Sequence, residues 1–593
     1  MIVRLPYPKM TYLFFKKNLL VAMLLAASVF ISANAQATEP LLVVATGGRI
    51  GVFKYGSSDP AATAFWHRTP HQLGGPVAEM QIGFMNWFLN YSVEYDNEND
   101  VTIEHAWLER ALDGQVVPIT FDGSRELIMP AASTEPFWPA DPIDSSVWTG
   151  GVPQKDEIFW LHIKGSMPSG GKVCQGNPTG YSGSRFIVYN PANGPGTIDF
   201  SGTVPSISGQ SARTRGLPVV FLGRYTDPGH LAVIGIGDSI LDGSGDASSS
   251  YSSVSGFGYF NRAAVDSEGK NTIATFNLTR HGAAAGTWNT AVRQRPFLQY
   301  ANVVVEEYGT NDLGSTGGGS VSTIQSRLEN IWTLCRNAGV QHILRAQLLP
   351  RAESTDSWAT KENQTPNNGW GDGGKRDELN AFFDASVTNG KIDMVVQMLD
   401  AVSDPTDSHV WLTNGSAKFL NTDSTHLNSN GNATIAPILR TALLSLTVDA
   451  PEPTYGGWAE SIDWGAADSS PAADPNSDGV INAMAYALDI SPLNPPQTGD
   501  LPYAVFDEDT SSGLWLKFIF RESSTAQDLV YSCLSSTELS SGWVNLIADG
   551  INVIEETLDT DPDGDGSAVL KQIKINLVSF GDTRRFVKLD ISL

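Results

Sequence analysis

The sequence is short of cysteine, of positive charge and of long apolar runs, and each shortage excludes something. Three cysteines, Cys174, Cys335 and Cys533, are scattered through 593 residues. They offer neither a disulfide framework nor a CxxC metal clip, so stability must come from large cores. Cys335, within helical spacing, is expected to be a small buried hydrophobe. Lys and Arg together number 38 against 64 Asp and Glu, a formal net charge of −26. Such a surface repels nucleic acid and anionic membranes, which excludes both as expected partners. The only sustained apolar run is Leu19 to Ile31, preceded by Arg4, Lys9, Lys16 and Lys17 and followed by Ala33-Asn-Ala35. It falls short of the ~20 residues of a membrane span. Its flanks read as an export signal over 1–35, with Ala35-Gln-Ala37 as an alternative cleavage point. No Cys follows the run, so a lipid anchor is not expected, nor is a membrane span in the mature chain. The expected destination is secreted or periplasmic.

What is present is apolar and turn-rich. Hydrophobic residues make up 41%, with 15 Trp, 57 Gly and 33 Pro. This excludes wholesale disorder and suggests several domains with much β structure. From 38 to 228, short alternating runs broken by Gly, Pro, Asn and Asp suggest a β-sandwich or jelly roll. Examples are Glu79 to Phe88, Val116 to Phe121, Glu157 to Ile163, Arg185 to Tyr189 and Leu217 to Leu222. Trp66, Trp87, Trp107, Trp138, Trp148 and Trp160 fall here and are expected mostly in the core, where aromatics bury much apolar area.

From 229 to 447 the texture changes to strands alternating with helical stretches. Strands are expected at Leu231 to Ile236, Ile273 to Leu278, Ala301 to Glu307, Gln341 to Leu349 and Asp393 to Leu399. Helices are expected at Val321 to Ala338 and Asn432 to Leu444. Such alternation argues for an α/β domain, a parallel sheet with helices on both faces. Between Arg351 and Lys375 lies a polar stretch holding Trp358 and Trp370, long enough to suggest a rim over the site. A linker is expected over 448–472 and a small β-rich domain over 473–593. In that last domain Asp474-x-Asn476-x-Asp478-Gly479 has the alternating oxygens of a calcium loop. Its twelfth position, Ala485, supplies no carboxylate. Asp559-x-Asp561-x-Asp563-Gly564 repeats the pattern, with Leu570 at the twelfth place. These are weak candidates for a structural calcium beside the plain Asp/Asn/Gly turn; no cofactor is expected for catalysis.

Chemistry gathers at the expected strand ends. The run Ala232-Val-Ile-Gly-Ile ends in Gly237-Asp238-Ser239, leaving a hydroxyl at a strand's carboxyl end, where ligands bind in open parallel sheets. A serine needs a neighbouring base to attack an ester. His426 in Asp423-Ser-Thr-His426 has a carboxylate three residues away to hold its ring. His409, with Asp407, and His281 are the competitors. Val303 to Tyr308 ends in Gly309-Thr-Asn311-Asp312, where an Asn amide can donate to a developing oxyanion. Asn277-Leu-Thr-Arg-His-Gly282 is a further strand ending in glycine, which admits a ligand close to its N–H.

In this order, Gly237-Asp-Ser239-Ile, Gly309-Thr-Asn311-Asp and Asp423-x-x-His426 resemble the blocks of the SGNH/GDSL hydrolases. The resemblance covers roughly 229–447. It implies a three-layer α/β/α, flavodoxin-like fold and an acyl-enzyme mechanism. It also implies Ser239 as nucleophile, His426 as base and Asp423 as its orienting acid. The implied oxyanion hole is the Ser239 N–H, a glycine N–H and the Asn311 side chain. Gly282 fits the spacing from Asn277 and is assigned; Gly286, followed by Thr, is the alternative. Asp238 and Asp312 are expected to be structural hydrogen-bonders. The expected activity is that of an exported carboxylic-ester hydrolase deacetylating a polysaccharide or oligosaccharide. A lipase or thioesterase of the same class is the alternative, as is a non-catalytic carbohydrate-binding protein with a relic core.

Overall fold

A computed structural model of the chain describes residues 40–194, 196–204, 206–207, 213, 215–246 and 254–448, and, with breaks, most of 458–592. The leader assigned to 1–35 lies outside the described residues, as do much of the linker and Asp561, Asp563 and Gly564 of the second acidic loop. The chain divides into two compact units, with Glu39–Pro451 in one and Glu452–Leu593 in the other.

Within the first unit, the site rests on five parallel strands. Ala232–Ile236 pairs with Ala274–Asn277 on one side and with Val303–Glu306 on the other. His342–Ala346 and Met394–Val396 follow outward. Counted by their place in the chain, the five lie in the order 2-1-3-4-5. Such a sheet opens a crevice beside its first strand, where the chain leaves in opposite directions. Every residue of Ala232–Ile236 is buried, which is why the run is apolar without alternation. Its residues nonetheless divide by parity. Ala232, Ile234 and Ile236 join a core with Ile324, Leu328 and Ile331 of the Val321–Asn337 helix and Leu379 and Phe383 of the Lys375–Thr388 helix. Val233 joins a second core with Tyr259, Phe260, Ile435 and Leu439 from the Gly258–Ala263 and Ser429–Leu444 helices. Opposite faces of one sheet are thus covered by different helices.

The expected domain boundary at 228/229 does not break the sheet. Gly48–Arg49, two residues long, pairs in parallel with Ala274–Asn277 and antiparallel with Val219–Tyr225. Val219–Tyr225 in turn runs against Val77–Phe84. An uncovered Ala274–Asn277 edge would present unpaired backbone groups, and the earlier part of the chain satisfies them. A second sheet of six strands runs antiparallel, in the order Leu127–Met129, Val101–Arg110, Ile158–Ser166, Ala64–Gln72, Arg185–Tyr189, with Val116–Ile119 added to Val101–Arg110. It faces the first sheet, with the His71 ring stacked 3.9 Å from that of Phe221. Trp66, Trp87, Trp107 and Trp148 are buried.

Ala64–Gln72 is buried at all nine positions although it carries His67, Arg68 and His71. Arg68 donates to Glu109 at 2.9 Å, and His162 bonds the same carboxylate at 2.7 Å. Burial drives the His71 imidazole down to about 3, so it stays neutral. The second unit holds a four-stranded sheet (Tyr503–Asp509, Gly513–Ser523, Ala568–Asn576, Val553–Asp559) and a three-stranded one (Val544–Asn545, Val530–Ser536, Phe586–Ser592). Phe518, Phe520, Cys533, Ile575 and Leu589 share its core.

One buried ion pair underlies the sheet. Arg345 Nε lies 3.1 Å from Glu306 Oε2, both side chains fully buried. Arg345 also donates to the Glu306 and Ala346 carbonyls and lies 4.0 Å over the Phe383 ring. Removing one partner strands the other, which costs about 3–5 kcal/mol. Arg345→Met is therefore expected to lower stability by that amount in urea unfolding, and adding Glu306→Leu should restore part of it. A loss no larger than that of an exposed substitution, about 0.5 kcal/mol, would contradict this account of the pair.

Candidate active site

Three strands deliver their side chains to one edge. Beyond Ile236, Gly237 leaves room for Glu307 and Leu241, each of which a Cβ would meet at 3.1 Å. Asp238 then caps the short Ser239–Asp242 helix, its Oδ1 accepting from the Ile240 N–H at 3.0 Å. Ser239 thus opens a helical turn at the strand's end, in the manner of a bent elbow.

The loop before the Ser429–Leu444 helix folds back on itself. Asp423 Oδ1 accepts from the Thr425 and His426 N–H groups, both at 2.8 Å. Asn428 caps the helix by accepting from the Gly431 N–H. With the loop fixed, His426 Nδ1 lies 2.9 Å from Asp423 Oδ2, and His426 Nε2 lies 2.9 Å from Ser239 Oγ. A carboxylate can only accept, so Nδ1 carries the proton and Nε2 is left to accept from the serine hydroxyl. Burial alone would raise the Asp423 carboxyl, but hydrogen bonds from the His426 ring and from the His426 and Thr425 N–H groups outweigh it and hold it at about 2. A hydroxyl, an imidazole and an ionised carboxylate in this order can move a proton off the hydroxyl and stabilise the cation that results.

Neither competing histidine touches Ser239. His409 is held between Asp407 at 2.7 Å and Asp377 at 3.0 Å, with both ring nitrogens occupied. His281 lies against the Arg280 guanidinium and the rings of Phe53 and Tyr91.

The two other strand-end loops are stitched together. Asn311 Nδ2 donates to the Ala283 carbonyl at 3.0 Å, fixing the amide while one N–H remains. Asp312 accepts from the Ala285 N–H at 2.8 Å and from Arg327 at 3.0 Å. Gly282 has φ +74°, and a Cβ there would lie 2.2 Å from the Tyr91 ring, so backbone and space both require glycine. Gly286 faces Arg327 instead. The Trp87–Asn90/Val93–Asp96 hairpin braces this loop, Ser92 accepting from the Ala284 N–H at 3.0 Å and the Leu89 carbonyl from Arg280 at 2.8 Å.

Two charged residues at the site were not singled out from the sequence. Glu307 Oε2 accepts from the Asp238 and Leu241 N–H groups, both at 3.3 Å, directly under the turn that carries Ser239. Burial pushes the Glu307 carboxyl well above its ordinary range, and the nearby Asp238 charge adds to this. Burial likewise raises Asp238, to about 6. The pair therefore holds a proton, which Glu307 carries and donates to Asp238. The signal was two adjacent acids closing an apolar strand, Val303-Val-Val-Glu306-Glu307. The other residue is Arg351, whose charge faces Asp238 and Asp423.

The oxygens of the candidate calcium loop also hold its turn. Asp474 accepts from the Asp478 and Gly479 N–H groups, Asp478 from Val480 N–H and the Asn476 amide. Ala485 at the closing position is buried, so the loop lacks the bidentate carboxylate that completes such a site. Elsewhere Asp372, Asp377 and His409 offer atoms within 4.8 Å of one another, but Asp377 is already bound to Arg376 and His409.

No protein-family profile and no curated protein matches the chain. Among solved structures it is similar to a GDSL-like lipase from Bacteroides thetaiotaomicron, 17% identical over 36% of this chain and 87% of that one, TM-score 0.25. An acetyl xylan esterase is 16% identical over 36% of this chain and 98% of its own, TM-score 0.24. The protein YXIM of Bacillus subtilis is 11% identical over 68% of this chain and 98% of its own, TM-score 0.27. Scores this low leave the site to be judged on its own geometry.

The Glu307–Asp238 pair fixes a pH dependence. Both carboxyls have folded pKa values above their unfolded ones, so their contribution is full below about pH 4 and is lost as pH rises through the folded values. Between pH 5 and 9 the urea midpoint of the wild type is expected to fall more steeply than that of Glu307→Gln, whose amide oxygen keeps the two accepted bonds. Parallel curves would show that the pair holds no extra proton.

Proposed function

We propose that the chain is a serine carboxylic-ester hydrolase working through an acyl-enzyme, and that it deacetylates a polysaccharide or oligosaccharide outside the cytoplasm. The observation carrying this reading is the unbroken chain of bonds from Ser239 Oγ through His426 to Asp423. In it, Ser239 Oγ attacks the ester carbonyl while its proton passes to His426 Nε2. The carbon–oxygen bond to the alcohol then breaks, and His426 returns the proton to the departing oxygen. Water, deprotonated by the same nitrogen, attacks the acyl-Ser239 carbonyl and releases the carboxylic acid and free serine. Asp423 remains ionised, orients the ring and offsets the imidazolium charge. The Ser239 N–H, the Gly282 N–H and the free N–H of Asn311 are the donors for the tetrahedral oxyanion.

The carbohydrate assignment rests on the leader-like N-terminus and on the polar character of the 351–375 segment beside the site; its tryptophans serve packing, Trp370 being buried and Trp358 lying against the core. That segment forms a small hairpin, Ala352–Ser354 with Gln364–Pro366. It contains no long apolar stretch of the kind that covers lipase sites.

Acetate release from acetylated glycans, measured beside aryl esters of rising acyl length, tests both levels of the reading. Ser239→Ala and His426→Ala should silence hydrolysis, His409→Ala should not, and Asn311→Ala should lower kcat by about 10²–10³. Activity surviving in Ser239→Ala overturns the mechanism. A preference for long acyl chains overturns the carbohydrate assignment alone.

A further inference from the structure

Among the described residues, Arg351 is a guanidinium without a carboxylate partner, in a place where it could meet substrate. Its neighbours bracket it between the loops that carry His426 and Asn311. On one side, the Ala352 N–H donates to the Ser424 carbonyl at 3.2 Å, two residues before His426. On the other, Trp370, whose ring centre is 5.7 Å from the Arg351 guanidinium carbon, donates to the Gly314 carbonyl at 2.9 Å, three residues after Asn311. Asn367 and Asn368 tie the same segment to Ser315 and Thr316. The Arg351 backbone is itself pinned, its carbonyl accepting from the Asn367 N–H at 2.9 Å.

The side chain is partly buried, and its Nε is shut off from solvent with no hydrogen-bond partner. Among the described residues no carboxylate approaches it within ion-pair distance; Asp423, Asp238 and Glu353 act on it from farther away. Burial lowers its pKa, the mark of a cation that has lost water and that the more distant carboxylates only partly offset. An arginine so placed is costly unless something completes it. Its fork of N–H donors fits a planar carboxylate in two parallel bonds. A dianionic phosphate monoester fits less well, because the Asp238 and Asp423 charges that act on Arg351 would repel its second charge.

We propose that Arg351 recognises a carboxylate on the substrate, so that the ester hydrolysed at Ser239 belongs to an acidic molecule. This rests on the esterase reading above. The carboxylate has two sources: an acidic sugar bearing the acyl group, such as a uronate, or the far end of a dicarboxylic acyl group.

Two substrate pairs separate the sources, each compared by kcat/KM with the full chain. The first is O-acetylated oligogalacturonate and oligoglucuronate against their methyl esters, which lack the charge. The second is an aryl hemisuccinate against the aryl butyrate. In one of the two pairs the charged member should be favoured by about 10- to 100-fold, the range for a charge-assisted hydrogen bond. That ratio should fall to near one in Arg351→Gln and be partly kept in Arg351→Lys, a point charge without the fork. Ratios near one in both pairs for the wild type overturn the proposal, as does a ratio that survives Arg351→Gln. An equal loss on charged and neutral members in Arg351→Gln also overturns it, and makes Arg351 a support for Asp423. Hydrolysis of a neutral aryl acetate, lost in Ser239→Ala, shows that the esterase reading stands when the ratios fail. No Ser239-dependent hydrolysis of any ester sinks that reading, and the inference with it.

Discussion

Parallel pairing of Ala232–Ile236 with a strand on each side is the constraint on which the site depends. Because the three strands run in one direction, their carboxyl ends meet at one edge. Ser239, Gly282 and Asn311 all follow within five residues of those ends. The arrangement is possible only because both faces of the central strand are covered, Val233 toward one set of helices and its neighbours toward the other. His426 arrives from farther along the chain, on the loop that leads into one of those covering helices. The layers that bury the sheet therefore also deliver the base.

Buried charge sets the character of the site. Beneath the Ser239 turn lie Asp238 and Glu307, and beside them Glu306 with Arg345, all buried. Glu307 can lie there because it keeps a proton, Glu306 because a guanidinium is fully buried with it. Asp423, nearer the surface, is ionised instead, because three N–H donors converge on it. Neighbouring carboxyls thus take opposite protonation states through environment alone. Of these carboxyls only Asp423 is in contact with the imidazole.

Much of this was legible in the sequence, and the limits have physical causes. The apolar runs ending in Gly-Asp-Ser and Gly-x-Asn-Asp identified the two strands on which Ser239 and Asn311 are mounted. The spacing of Ile324, Leu328, Ile331, Trp332 and Cys335 identified the Val321–Asn337 helix. Ala64–Gln72 was illegible because its histidines and arginine resemble a solvated loop until Glu109 and His162 are seen beside them. The Lys375–Thr388 helix was missed because it starts behind glycine, without a capping side chain. Continuity of the sheet across 228/229 hangs on Gly48–Arg49, too short to leave a pattern. The choice among His426, His409 and His281 needed distances, since the first two have a nearby Asp in sequence. The roles of Glu307 and Arg351 depend on burial and on absent partners, which no one-dimensional pattern carries.

The central claim is that Ser239 is an activated nucleophile, and covalent capture tests it most directly. Incubation of the full chain with an aryl-reporter fluorophosphonate, followed by mass spectrometry of peptides, should place a single adduct on Ser239. Labelling should be lost in His426→Ala, because without the base the hydroxyl is an ordinary one. An adduct on another residue, or none on folded wild-type protein, would contradict the account.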